Sequence, residues 1–236
     1  MSLVEEIKHA LTEMGNAEIA AHSGRFFKTE NGQYGAGDKF HGIRVPVIRQ
    51  FLKSQPAIRL LDIQALLFDE YHETRLFAAL ALVRCYEKSK VPKEREQLSQ
   101  FYLEHAERMN NWDLVDATAH KILGPELIDG DSSVLFELVI SENLWRRRIA
   151  IITTYHFIKR DKYDVTLQLA QHLFDDSEDL IHKAAGWMLR EVSNRNYDVG
   201  KEFVLEHFKK MPRTMLRYAI EKYPEPMRRN ILRGNV

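Results

Sequence analysis

Four residues in this sequence have side chains that could take part together in one chemical step. Trp112 and Asp116 are four positions apart, which places both side chains on one face of a helix. Arg148 follows Trp112 after 36 residues, and Trp187 follows Arg148 after 39. A carboxylate can stabilise positive charge or orient water, an indole face attracts a cation, and a guanidinium binds an anion such as phosphate. These four residues indicate a shared function only if the fold brings their side chains together.

Structural explanations also exist for each of these residues. A tryptophan in an amphipathic helix is most often part of the core. Asp116 can be a solvated charge or the partner of Arg148 in an interhelical ion pair. Three consecutive arginines, Arg146–Arg148, point in three directions on a helix, so this run is typical of a solvated face. These alternatives stay open when the residues are considered one at a time.

The spacing of the four residues is close to the length of an internal repeat. Residues 74–80, 146–151 and 181–187 share a basic position followed by small apolar residues. Phe77, Arg148 and Lys183 occupy equivalent places, 71 and 35 residues apart, which indicates a unit of about 35 residues. Helix pairs of this period stack into arrays with a concave inner surface. We therefore predict an all-α fold of HEAT-like helical repeats, stacked in a right-handed α-α superhelix (a solenoid), with residues 1–236 in a single domain.

Local signals place the helices and the loops between them. Helical periodicity runs through the whole chain, without the two-residue alternation that is typical of strands. Ser2 and Glu5 form a capping-box pattern at the start of the first helix. The pair Gly124-Pro125 predicts that the helix beginning near residue 112 ends at about residue 123. Residues 28–43 read as one long glycine-rich loop.

The charge of the chain is balanced overall but uneven along its length. Lys and Arg total 34, and so do Asp and Glu, which gives no global support for nucleic-acid binding. Residues 142–236 contain 18 basic and 13 acidic residues, so the C-terminal half could carry a local basic surface. Ordinary solvated helix faces explain that surplus equally well.

Several functional classes receive no support from the sequence. The single cysteine, Cys85, cannot form an internal disulfide, which favours a reducing compartment, and no neighbouring base activates it as a catalytic thiol. No apolar run approaches the roughly 20 residues of a membrane span, and the acidic N-terminus differs from a signal peptide. The ten scattered histidines show no spacing for a metal site. We expect a cytoplasmic protein with no metal, no cofactor and no contact with a membrane.

The sequence motifs around the four residues resemble a known family. Asn-Trp-Asp-Leu-Val-Asp at 111–116, Asn-Leu-Trp-Arg-Arg-Arg-Ile-Ala at 143–150 and Lys-Ala-Ala-Gly-Trp-Met-Leu-Arg-Glu at 183–191 are similar, in order and spacing, to the AlkD family of DNA glycosylases. Residues 34–49 also resemble the N-terminal signature of that family. The likeness extends over about residues 15–215, and the four motifs together are more specific than any one of them.

The resemblance implies a monomeric enzyme that cradles double-stranded DNA on a concave face and excises N3- or N7-alkylated purines. Trp112 and Trp187 are similar to an aromatic pair that packs against the lesion nucleotide. Asp116 matches the catalytic carboxylate of the family, and Arg148 matches a phosphate-binding arginine. Further candidate contacts to the DNA are Lys183, Arg190, Arg213 and Arg217.

Two positions depart from the family pattern, and three functions stay open. Asn111 stands where some members have a second tryptophan, and Phe26, a candidate DNA contact, stands where some have tyrosine. The missing hydroxyl group at Phe26 could alter lesion preference. A base-excising glycosylase is the first hypothesis. The alternatives are a non-catalytic protein that binds damaged or branched DNA and a HEAT-type scaffold for protein interactions.

Overall fold

The computed structural model describes residues 2–235, and its regular secondary structure over this range is helical. The one pairing of strand type in this range is an isolated bridge between Lys39 and Tyr71. The α-helices are α1 (Leu3–Glu13), α2 (Ala17–Phe26), α3 (Val45–Ser54), α4 (Leu60–Leu67), α5 (His72–Lys88), α6 (Pro92–Glu104), α7 (Trp112–Leu127), α8 (Ser133–Val139), α9 (Leu144–Thr153), α10 (Tyr155–Ile158), α11 (Asp164–His172), α12 (Asp179–Arg195), α13 (Tyr197–His207), α14 (Arg213–Ala219) and α15 (Glu225–Arg233). A short 3-10 helix, Ala106–Arg108, follows α6. The predicted all-α class is confirmed.

The chain forms two compact units, the first ending at Thr118 and the second beginning at Ala119. In the first unit α5 is the central helix, because α1, α3, α4 and α6 all pack against it. Its residues from Leu76 to Val83 are buried and apolar, and each large side chain among them stabilises the fold by roughly 1.5–3 kcal/mol. The first turn of α5 is buried as well, although its side chains are polar.

The second unit is built from helix pairs arranged around α12. This helix packs against α11, which precedes it, and α13, which follows it, and also against α9 and α14. The helices α8 and α9 form another pair. Helix pairs that pack on preceding pairs are the arrangement found in helical repeat proteins, so the repeat class that we predicted agrees with the structure. The hand of a superhelix and the single-domain organisation stay predictions.

Gly186 makes the contact between α12 and α14 possible. A Cβ atom at this position would lie 2.5 Å from the carbonyl oxygen of Met215 and 2.6 Å from Cβ of Tyr218. Both distances are shorter than any that real Cβ atoms show, so residue 186 must lack a side chain for the two helices to pack this closely. Trp187 is the next residue, so this packing also fixes the backbone position of Trp187.

Two local predictions have opposite outcomes. The capping box is confirmed, since the Glu5 amide donates to the Ser2 hydroxyl at 3.3 Å and the Glu5 carboxylate accepts from the Ser2 amide at 2.7 Å. The predicted end of the helix at about residue 123 is wrong, because α7 continues through Pro125 to Leu127. A proline so near the C-terminal end removes one amide hydrogen bond, while the next bonds still form; the Ile128 amide donates to Gly124 at 3.2 Å.

The glycine-rich segment 28–43 is held in place by the first turn of α5. The Glu73 carboxylate accepts three successive backbone amides, from His41 at 2.9 Å, Gly42 at 2.8 Å and Ile43 at 3.1 Å. Gly42 has a φ of +83°, a conformation that side-chain-bearing residues rarely adopt, and a Cβ atom there would collide with the backbone of Asn16 and Ala20. The segment lacks helical structure, as predicted, yet it is tied closely to the core.

Two further observations concern the cysteine and the search for membrane-spanning helices. Cys85 is half-buried, and burial raises the pKa of its thiol, so the thiol stays protonated at neutral pH and gives no support to a catalytic role. Over residues 2–235, none of the helices combines the length and the apolar character that a bilayer crossing requires.

Candidate functional site

The two candidate residues of the first unit lie on the first turns of α7. Trp112 is the first residue of this helix, and Asp116 follows one turn later, as their spacing predicted. Both residues are partly exposed, so neither is sealed in the core. Asp116 also lies near the buried Tyr102 and contributes to the raised pKa of that phenol, although burial is the larger cause.

Aromatic rings surround Trp112 on the side of α2. The ring of Phe27 stacks on the indole with a centroid distance of 5.3 Å and an interplanar angle of 25°. The ring of Phe26 meets the indole edge-on at 5.8 Å, and 56% of Phe26 is exposed. The structure therefore brings the exposed Phe26 against the partly exposed Trp112, one helical turn before Asp116 on α7.

Four charged residues form a buried ionic cluster next to these rings: Asp38, His72, Arg75 and Asp113. The imidazole of His72 lies between two carboxylates, with Nδ1 3.4 Å from Asp38 and Nε2 2.9 Å from Asp113. Nη2 of Arg75 donates to the other oxygen of Asp38 at 2.7 Å. The side chains of His72 and Arg75 are each only 2% exposed. The cluster thus joins the glycine-rich segment, α5 and α7.

Opposing effects set the ionisation of the buried ionic cluster. Burial lowers the pKa of His72, but the charge of Asp113 and hydrogen bonds to Asp113 and Asp38 outweigh it and raise the pKa to about 9. Burial raises the pKa of Asp38, but the hydrogen bond from His72 and the charge of Arg75 lower it overall. At neutral pH His72 is therefore an imidazolium, and both of its ring nitrogens donate hydrogen bonds.

Two asparagines, Asn110 and Asn111, link the buried ionic cluster by hydrogen bonds to the start of α7. Nε of Arg75 donates to the side-chain oxygen of Asn110 at 3.0 Å, and the Asn111 amide group lies 3.4 Å from Asp38. The side-chain oxygen of Asn111 accepts the backbone amide of Trp112 at 2.9 Å. Asn111 is fully buried, so this departure from the family pattern has a clear structural role as a polar link.

The candidate aromatic residue of the second unit is Trp187, which is partly exposed on α12. Its indole nitrogen donates to Glu191 at 3.0 Å, and its ring lies 5.8 Å from the ring of Tyr155. Arg190, three residues further along the helix, donates to the carboxylate of Glu221. The indole orientation is fixed within the unit, and the charge of Arg190 is balanced by a neighbouring acid.

Two arginines of the run on α9, Arg147 and Arg148, make hydrogen bonds within the protein instead of forming a solvated face. Arg148 is only 5% exposed, and its Nη1 donates to the backbone oxygen of Leu180 at 2.6 Å. Arg147 donates to Asp176 at 2.6 Å. Arg148 thus connects α9 to α12, the helix that carries Trp187.

The remaining basic candidates differ in how accessible they are. Lys183 is partly exposed and pairs with Asp179 at 2.8 Å, one turn earlier on α12. Arg213 and Arg217 are exposed and lie one turn apart on α14. These two guanidiniums are therefore the most accessible of the predicted backbone contacts.

Comparisons with known proteins bear on these arrangements. A sequence profile described as DNA alkylation repair enzyme matches residues 7–223. The chain belongs to this family. A solved structure described as "Predicted DNA alkylation repair enzyme from Enterococcus faecalis" is 21% identical, with a TM-score of 0.68, and the match covers 90% of this chain and 98% of that one. No match was found among curated proteins.

Membership in the DNA alkylation repair enzyme family gives the protein a role in DNA repair and in binding DNA. At 21% identity, the likeness to the solved structure supports the fold. Within residues 2–235, no three His, Cys, Asp or Glu side chains form a group that could hold a metal ion.

The sequence did not lead us to predict the buried ionic cluster of Asp38, His72, Arg75 and Asp113. We interpreted Arg75 only as the basic position of a repeat, and Asp38 only as part of a loop and of the segment that resembles the N-terminal signature of the family. One signal was present: His72-Glu73-Thr74-Arg75 places four polar residues directly before a long apolar run. A polar turn of that kind at the start of a core helix needs buried partners.

Proposed function

We propose that this member of the DNA alkylation repair enzyme family is a monofunctional DNA glycosylase. Its substrate would be an N3- or N7-alkylated purine, such as 3-methyladenine or 7-methylguanine, in double-stranded DNA. One observation carries the proposal: α7 places Asp116, a partly exposed residue, one turn after Trp112. Membership in the repair family supports it. The protein would act as a monomer and a single repeat domain, without a cofactor.

The proposed chemistry needs a carboxylate because positive charge moves during the reaction. Alkylation at N3 or N7 makes the purine cationic and weakens its bond to the sugar. As the bond breaks, the deoxyribose becomes an oxocarbenium ion, which a nearby carboxylate stabilises. At about 4 Å and an effective dielectric constant near 20, this attraction is about 4 kcal/mol. If half of it develops only in the transition state, it accelerates the step about thirtyfold.

The aromatic side chains would hold the lesion nucleotide while the bond breaks. In the first unit, Trp112 is supported from behind by the stacked ring of Phe27, and Phe26 widens the apolar surface. In the second unit, Trp187 is oriented by its bond to Glu191. An indole face attracts a cationic sugar by about 0.5–2 kcal/mol.

The basic residues would bind the DNA backbone rather than the base. Arg213 and Arg217 are exposed and suit phosphate contacts, which position DNA without reading its sequence. For Lys183 and Arg190, a phosphate would have to compete with Asp179 and Glu221, their present acidic partners. Phosphate binding by Arg148 remains a proposal carried over from the family resemblance. Its bond to Leu180 would fix the direction of the guanidinium.

A base-release assay tests the proposal. Duplex DNA carrying 7-methylguanine is incubated with excess protein, and free base is measured over time. We expect the wild type to release base and Asp116→Asn to be at least tenfold slower, with unchanged affinity for undamaged duplex. Asp175→Asn, which removes an exposed carboxylate before α12, is the matched control and should keep full activity. Binding of DNA without base release by the wild type would refute the proposal and favour a non-catalytic repair protein.

A further inference from the structure

The first turn of α5 carries polar side chains that the proposed reaction does not use. His72, Glu73, Thr74 and Arg75 are all buried, with between 0% and 3% of each residue exposed. A buried charge destabilises a fold unless it is paired and hydrogen-bonded, so each of these groups must have partners that compensate. Their partners therefore indicate what the turn holds in place.

The partners belong to two segments that are distant in sequence. Glu73 binds backbone amides of the glycine-rich segment, as described above. His72 and Arg75 bind Asp38 of the same segment on one side, and Asp113 and Asn110 at the start of α7 on the other. The two segments are thus joined through two cations on α5. Asp38 and Asp113 are 75 positions apart in the chain.

We infer that the buried ionic cluster of Asp38, His72, Arg75 and Asp113 positions the first turn of α7, and thereby Trp112 and Asp116, for the repair reaction. These four are positioning residues, because the exposed fractions of their side chains, from 2% to 14%, leave no surface for DNA. The inference rests on the proposed function. It adds residues of the glycine-rich segment and of α5 to the machinery of the site.

The protonated form of His72 is what makes the connection strong. Its imidazolium donates to Asp38 and Asp113 at once, whereas a neutral imidazole carries only one N–H. The charged groups that face it are Asp38 from the glycine-rich segment, Asp113 from α7 and Arg75 from α5. The rings of Phe27 and Phe40 cover the imidazolium at 4.7 Å and 4.9 Å and keep water away, which strengthens the charge interactions.

A second route leads from the buried ionic cluster to the indole itself. The ring of Phe27 contacts His72 at 4.7 Å and stacks on Trp112 at 5.3 Å. The backbone of Trp112 is held through Asn111, and its ring is held through Phe27. Loosening His72 would therefore disturb both the backbone and the ring of Trp112, while leaving Arg213 and Arg217 of α14, the proposed phosphate contacts, unchanged.

A double-mutant cycle between His72 and Asp113 tests the inference. The variants are His72→Gln, Asp113→Asn and the double variant, all in the full chain. The rate of base release with excess protein and the dissociation constant for undamaged duplex are measured for each. We expect either single variant to lower the rate about tenfold, with less than a threefold change in DNA affinity. The double variant should lower the rate by about the same factor, because both changes break one connection.

A loss of about a hundredfold in the double variant would mean that the two residues act independently, and it would overturn the inference. Unchanged rates in both single variants would do so as well. Ile7→Val is the control for stability, since Ile7 is a fully buried core residue of α1. Ile7→Val should lower the melting temperature and leave the rate of base release unchanged. If Ile7→Val lost as much activity as the cluster variants, the cluster would have only a structural role.

Two further readouts separate this inference from the proposed function. Without DNA, hydrogen exchange at the amides of Val115 and Asp116 should become faster in His72→Gln, and equal protection in both proteins would overturn the inference. Hydrogen exchange tests the positioning role of His72 even if the wild type releases no base. The absence of base release would refute only the proposed function. With activity present, the wild-type rate should fall as pH rises through about 9, and His72→Gln should lack this fall.

Discussion

Replacement of Gly186 by alanine should destabilise the protein by about 1–3 kcal/mol, the usual cost of forcing a methyl group into a packed contact. The added Cβ atom would lie 2.5 Å from the Met215 oxygen and 3.2 Å from the Met215 carbonyl carbon. Both are backbone atoms and cannot rotate away. To restore ordinary van der Waals contact, α12 and α14 would have to separate by roughly 1 Å, which weakens the packing around Trp187.

The change is measured by thermal unfolding followed by circular dichroism. For a chain of this size, each kcal/mol shifts the melting temperature by about 2–4 °C, so we expect a fall of about 2–12 °C. Gly24→Ala in α2 is the matched control, because its added Cβ atom would meet only the Thr29 hydroxyl, at 3.4 Å. Alanine in this helix should leave stability unchanged or raise it by up to about 1 kcal/mol. An unchanged melting temperature for Gly186→Ala would refute the close packing of α12 on α14.

Three further predictions concern Arg148, His72 and Phe26. Arg148→Met should lower stability, because the backbone oxygen of Leu180 loses its hydrogen-bond donor. If Arg148 also binds a phosphate, the variant should reduce the slope of log DNA affinity against log salt concentration by about 0.9. An unchanged slope in fluorescence anisotropy titrations would contradict that phosphate contact. The raised pKa of His72, about 9 against 6.5, means that its contribution to stability is complete below pH 6.5 and is lost as pH rises through about 9. Urea unfolding should show this fall, of about 3 kcal/mol at most, in the wild type, and its persistence in His72→Gln would contradict the assignment. Phe26→Ala should change the melting temperature little, because the residue is 56% exposed, and it should slow base release; equal release rates argue against a lesion contact.

The parts of the fold that follow from local sequence were predictable. The capping box needs only Ser2 and Glu5, three residues apart, and it forms as predicted. The shared helix of Trp112 and Asp116 follows from their four-residue spacing. Periodicity similarly gave the all-α class, because the apolar positions of each helix repeat over short distances.

The buried ionic cluster could not be predicted in the same way. Asp38 meets Arg75 after 37 residues and Asn111 after 73, and no local pattern specifies such pairs. The burial of Arg148 was missed for a related reason. A run of three arginines suggests a solvated face, but the tertiary packing of α9 on α12 places Leu180 within reach of its guanidinium.

The error at Gly124-Pro125 has a simpler origin. Proline interrupts a helix most strongly in the interior, where it removes a needed donor and clashes with the preceding turn. At residue 125 only the last turn of α7 remains, and the Ile128 amide still bonds to Gly124. The position of a proline relative to the helix end therefore matters more than its presence.

The most direct measurement of the central claim is the rate of 7-methylguanine release from one defined duplex under single-turnover conditions. We expect the wild type to release the free base, and Asp116→Asn, folded and still bound to DNA, to do so at least tenfold more slowly. Equal rates for the two proteins would contradict the role given to the Asp116 carboxylate.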